Sequence, residues 1–176
     1  LKIGNRLKIA RIYRGLTLAE LGDRVGISKQ SLSLYENNQG SLDLGKISTI
    51  AKELNFPSKF FTQHEDIVDE NATIYFRRKT TARKSDIEIQ KIKTEFLCNI
   101  YNYLSDHIEF PRLNIKKYDM KSGFTPAQVA EDIRQYWNLG NNPMKNLKHV
   151  LESNGIPVVL LRSDRKIDAY STKKGD

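Results

Sequence analysis

The sequence predicts an N-terminal all-α domain of five short helices, then an α+β segment of helices closing in a short β-hairpin. Three observations carry this expectation. Apolar residues recur at helical spacing through residues 3–61. The acidic, polar stretch QHEDIVDENA at 63–72 then breaks the pattern. Near the end, the β-branched run IPVVLL at 156–161 is followed by SDRK, a turn-like spacer, and IDAYS. The expected divisions are a first domain at 1–61, a linker at 62–73 and a second segment at 74–176.

Each element has a local cause. Ile3, Leu7 and Ala10 share one face of a first helix, which Gly15 closes. TLAE at 17–20 is a capping-box pattern that starts a second helix, with Leu18, Leu21 and Val25 as its inward stripe. Gly26 ends that helix and Ser28 caps the third, SKQSLSLYENN, held by Ile27, Leu32 and Tyr35. After the turn NNQGS, Leu44, Ile47, Ile50, Ala51 and Leu54 mark a fourth helix. FPSKFF predicts a final short turn with Pro57 at N1, and Phe60 and Phe61 sealing the core.

TIYFRRK reads as a strand or an extended arm. SDIE at 85–88 then starts a helix that runs to about His107 through Ile89, Ile92, Phe96, Ile100, Tyr103 and Leu104. TPAQ at 125–128 combines a threonine cap, proline at N1 and glutamine at N3, ahead of Val129, Ile133 and Trp137. Asn142-Pro143 is expected to open a further helix that buries Met144, Leu147 and Leu151 and ends at Gly155.

A net charge of +8 suits a polyanionic partner, and RRK at 77–79 and ARK at 82–84 concentrate part of it. A solvated basic surface explains those clusters equally well. No apolar run approaches the ~18 residues of a membrane span. The single cysteine, Cys98, excludes an internal disulfide and fits a reducing cytoplasm, which is the compartment expected.

Five short helices with LTLAELGDRVGISKQSLSLYENN at their centre describe a helix-turn-helix. Ala19 is small enough for close helix approach, Gly26 frees the turn, and Ile27 pins it. Residues 3–61 resemble the Xre/Cro-type phage-repressor family through L-x-x-A-R in helix 1, T-L-A-E-L in helix 2, S-x-x-S-L-S-x-Y-E-N in helix 3 and I-A-K-E-L in helix 4. The resemblance implies double-stranded DNA as partner, a homodimer, and Lys29, Gln30, Ser33 and Leu34 at the base-reading positions. Phosphate contacts fall on Thr17, Ser28, Asn37, Asn38 and Lys46, while Glu36 is the family's internal polar residue. Two positions depart from the pattern. Leu18 stands where a glutamine often anchors the backbone, and Leu34 stands where some relatives carry a polar reader, so that one base reading is either lost or reduced to contact with a thymine methyl.

From residue 74 onward the chain resembles the front of the ImmA/IrrE-type metallopeptidase family, through IYFRRK, TPAQVAEDIRQYWNLGNNPMKNLKHVLESNGIPVV and KIDAYSTKKGD. That family's chemistry needs H-E-x-x-H, with two histidines one turn apart on a helix and a general-base glutamate. The histidines here are His64, His107 and His149, and HEDIV at 64–68 has Val68 where the second ligand must be. No catalytic residue, metal ligand or cofactor is therefore expected. Zinc would enter only with a continuation carrying H-E-x-x-H. Three readings remain at this stage. The first is a sequence-specific transcriptional regulator, a repressor, whose second half senses, dimerises, offers a surface to a protein partner or belongs to a peptidase-like module. The second is the front of a zinc peptidase that cleaves a repressor. The third is a toxin–antitoxin-type interaction protein that regulates its own gene.

Overall fold

A computed structural model describes residues 3–63, 73–78, 83–119, 122–161 and 167–173. The chain divides into two compact units, Leu1–Tyr103 with Arg162–Asp176, and Leu104–Leu161. The first unit holds α1 (Gly4–Tyr13), α2 (Leu18–Val25), α3 (Lys29–Glu36), α4 (Leu44–Leu54) and α5 (Ser58–Thr62). It also holds β1 (Thr73–Arg78), most of α6 (Lys84–Ser105) and β2 (Ile167–Lys173).

The core of this unit is built from the periodic positions of the first four helices. Leu7, Ala10, Leu21, Leu32 and Leu54 are fully enclosed, with Ile47, Ile50 and Ala51 beside them. Phe60 and Phe61 close it from α5, as their sequence position predicts. Pro57 is the residue just before α5 and not its first helical position. Asn55, with φ +51°, ends α4 in the left-handed region that asparagine tolerates.

α6 belongs to this core, which its place after the interruption did not suggest. Ile92 is buried in the cluster, and Ile89 and Phe96 pack against it. The Phe96 ring meets Tyr13 edge-on with centroids 5.3 Å apart, and lies 6.2 Å from Phe56 and 6.1 Å from Phe60. Its start differs from the expected SDIE box: Asp86 Oδ2 accepts from Arg83 N at 2.9 Å, and the helix begins at Lys84, two residues earlier than a Ser85 cap implies.

The expected C-terminal hairpin is not formed. Residues 156–161 carry no strand, and after α8 (Leu147–Ser153) β2 is the one strand among the described residues. β2 pairs antiparallel with β1, from Thr73 opposite Lys173 to Phe76 opposite Tyr170, with an irregularity between Arg77 and Arg78. IPVVLL has strand composition, but an apolar run alone cannot tell a paired strand from an extended segment. Here Val159 and Leu160 are exposed, and burial is what strand status would have supplied.

The second unit contains α7 (Pro126–Tyr136) and α8. α7 has the complete capping box foreseen at Thr125 and Gln128. α8 starts at Leu147 behind an Asn146 cap, four residues later than Asn142-Pro143 suggested, and leaves Met144 and Leu147 exposed. Asn114 ties the unit together: its carbonyl accepts from Trp137 Nε1 at 2.8 Å, its Oδ1 from Tyr136 Oη at 2.7 Å, and its N–H donates to Asn154 O at 3.0 Å.

Candidate nucleic-acid interface

α2 and α3 are joined by a turn with little freedom. Gly26 takes φ +68° as the C-cap of α2, where a side chain would be strained. Close approach is made at Gly22, not at Ala19, which is exposed. A Cβ on Gly22 would lie 2.5 Å from Ile27 O, whose own N–H donates back to Gly22 O at 3.1 Å. Ser28 then caps α3 by accepting from Ser31 N at 3.1 Å.

α3 is anchored from beneath by Leu32, fully buried, and Tyr35, half-buried. Its C-terminal end is held by Glu36, which accepts from Arg11 in two parallel bonds, Nε to Oε1 at 2.7 Å and Nη2 to Oε2 at 2.8 Å. Arg11 also donates to Leu16 O at 2.7 Å, so one guanidinium joins α1, the entry to α2 and α3. A further clasp is made by Gly4, whose N–H donates to Asn38 Oδ1 at 3.0 Å.

On this anchored helix Lys29, Gln30 and Leu34 are exposed, and Ser33 is half-buried. The amide of Asn37 donates to Ser33 O at 2.9 Å and Asn38 has φ +57°, so both asparagines shape the end of α3. Thr17, Ser28 and Lys46 stand at the caps or first turns of α2, α3 and α4, where the helix dipole favours anions.

Two carboxylates also occupy those helix ends. Glu20 Oε2 accepts from Thr17 N at 2.7 Å and from Thr17 Oγ1 at 2.8 Å, and these bonds hold Glu20 below the ordinary carboxylate range. Asp43 caps α4 through Lys46 N at 2.8 Å and pairs with Lys46 Nζ at 3.2 Å. The backbone N–H of Lys46, then its ammonium, lower Asp43; the Asp43 carboxylate in turn raises Lys46. The Glu20 contact was legible as T-x-x-E. The Asp43 cap was legible as an aspartate immediately before the apolar positions of α4.

Among the described residues, no group of three or more His, Cys, Asp or Glu side chains could hold a metal ion. HEDIV at 64–68 lies outside the described residues. No helix among the described residues is long and apolar enough to cross a membrane.

Residues 7–61 match the helix-turn-helix family HTH_3. Two uncharacterized HTH-type transcriptional regulators, from Sinorhizobium medicae and Rhizobium meliloti, are each 29% identical over 59 residues, 34% of this chain and 42% of the relative. The chain thus spans under half the length of these curated relatives. An HTH_3 family transcriptional regulator from Vibrio cholerae is 32% identical over 34% of each chain, with a TM-score of 0.33. The family match ends at residue 61, and it lends nothing to the resemblance between the second half and ImmA/IrrE-type peptidases. The N-terminal part of this chain is a helix-turn-helix domain of the Xre/Cro type.

Proposed function

We propose that this chain is a sequence-specific, double-stranded-DNA-binding transcriptional regulator, a repressor, that places α3 in the major groove. The observation that carries the reading is α3 itself, held by Leu32, Tyr35 and the Arg11–Glu36 pair while Lys29, Gln30 and Leu34 stay exposed. Gln30 is suited to two hydrogen bonds with adenine, and Lys29 to the acceptors of guanine. Ser33 and Leu34 complete the base-reading face. Thr17, Ser28, Asn37, Asn38 and Lys46 position the domain on phosphates.

One short helix reads few base pairs, so a homodimer on paired half-sites supplies the rest. The lone Cys98 fits a cytoplasmic setting. Residues 74–176 act in this proposal as a sensing or interaction module. Support comes from the unit Leu104–Leu161, whose described residues include none that is buried and many that are apolar and exposed, among them Leu113, Phe124 and Leu160. The peptidase reading has no observation of this kind in its favour.

The test is selection of duplexes from a randomised pool by the full chain, repeated with Gln30→Ala. A single enriched motif is expected, relaxed at one base pair by ~1–3 kcal/mol in the variant. The same preferences from both proteins would remove Gln30 from the base-reading set; no enrichment would sink the DNA-binding reading itself.

A further inference from the structure

From the exposure of Leu34 we infer that the interface reads the 5-methyl group of a pyrimidine, so that its operator affinity responds to methylation at that carbon. The inference rests on the DNA-binding reading above. Leu34 is 47% exposed, although Leu32 beside it is fully buried and Tyr35 packs on the core. A single exposed leucine on a protein surface needs no account. This one follows Gln30 by four residues, so the two share one face of α3, with Ser33 and then Lys29 on the side of Gln30 away from Leu34. A face otherwise made of hydrogen-bonding groups has one branched apolar group, beside Gln30 at its edge.

The major groove displays donors and acceptors on every base pair but only one apolar group, the C5-methyl of thymine. Cytosine carries hydrogen at the same position and gains an equivalent group when methylated there. Four residues of α-helix advance about 6 Å, and base pairs rise about 3.4 Å per step. The methyl that Leu34 meets therefore lies within about two base pairs of the adenine assigned to Gln30.

The experiment uses the full chain and its selected duplex, with each thymine replaced in turn by deoxyuridine, which deletes only the methyl. One position within two base pairs of the one relaxed by Gln30→Ala is expected to lose about fourfold in affinity, the worth of one buried carbon. Leu34→Ala should abolish that difference while binding both duplexes. At the same position, 5-methylcytosine should bind better than cytosine. Equal affinity for thymine and deoxyuridine at every position, with specific binding intact, overturns the methyl reading alone. A deoxyuridine penalty that survives Leu34→Ala overturns the assignment to Leu34. Failure to select any duplex overturns the DNA-binding reading and this inference with it.

Discussion

Arg11 and Glu36, one on α1 and the other closing α3, form a two-pronged ion pair whose side chains are 11% and 6% exposed. Each partner is what makes the other tolerable in the core. Removing one leaves a desolvated charge, so Glu36→Ala should destabilise the domain by about 3 kcal/mol. Denaturant unfolding followed by circular dichroism measures this. Arg11→Met with Glu36→Leu should recover much of the loss, because an apolar pair leaves no stranded charge. A double variant as unstable as the single one would show that the pair contributes something beyond mutual compensation.

The N-terminus of α1 touches the carbonyl end of α3. A Cβ on Gly4 would stand 2.3 Å from Tyr35 O and 2.5 Å from Glu36 O. These are backbone atoms that no rotamer change can move. Gly4→Ala should therefore cost about 2 kcal/mol, within the range for overpacking. It should also shift α3 and weaken DNA binding beyond what the stability loss explains. Unchanged melting would mean that α1 can slide away without penalty.

α6 contributes Phe96 to the aromatic contacts with Tyr13, Phe56 and Phe60. Phe96→Ala should destabilise the helix-turn-helix part by about 2–3 kcal/mol, somewhat below the usual figure because Phe96 is only half-buried. Hydrogen exchange at α1 and α4 amides reads this directly. If protection falls only within α6, the helix is an accessory and not part of the core.

That result would also bear on what the sequence conveyed. Features resolved within four residues were legible: the Thr17–Glu20 and Thr125–Gln128 boxes, the Ser28 cap, the glycine at 26. Relationships across longer separations were not. The pairing of Arg11 with Glu36, the family's internal polar residue, was not legible because the two lie 25 residues apart. α6 read as the start of a second domain because its aromatic partners lie beyond the interruption at 63–72. IDAYS read as half of a hairpin because IPVVLL was near, whereas its partner strand is β1, a hundred residues earlier at Thr73↔Lys173. The outward side of α3 was legible for a different reason: a helix with a narrow apolar stripe declares its exposed face, here Lys29, Gln30 and Leu34.

In the second unit Tyr118 Oη donates to Asp132, and Lys116 Nζ pairs with the same carboxylate at 3.0 Å. The bond to Asp132 pushes the Tyr118 hydroxyl up to about 12, while Tyr118 and then Lys116 hold Asp132 below its ordinary range. Tyr118 is raised, so its contribution is complete below the ordinary tyrosine value of 10.0 and is lost as pH climbs toward about 12. Asp132 is lowered, so its contribution is complete above the ordinary aspartate range and is lost as pH falls through the lowered value. Tyrosinate absorbance should show one late-titrating group that Asp132→Asn returns to the ordinary range. Trp137, the one tryptophan in the sequence, reports the unit's unfolding at both pH extremes. A titration unaltered by Asp132→Asn would assign the late group to another tyrosine.

Lys46 distinguishes positioning from reading. It sits in the first turn of α4, paired with Asp43 at 3.2 Å in an exposed ion pair that salt screens readily. A phosphate arriving there competes with Asp43 for the same ammonium and carries no sequence information. Lys46→Ala should weaken binding to every duplex alike and lower the slope of log affinity against log salt by about 1. Gln30→Ala should leave that slope unchanged and relax one base pair, since it removes a base contact and no counterion. Measuring both slopes on selected and unrelated duplexes separates the two roles. A slope unaltered by Lys46→Ala would place α4's first turn outside the interface, leaving phosphate contact to Thr17, Ser28 and the asparagines after α3.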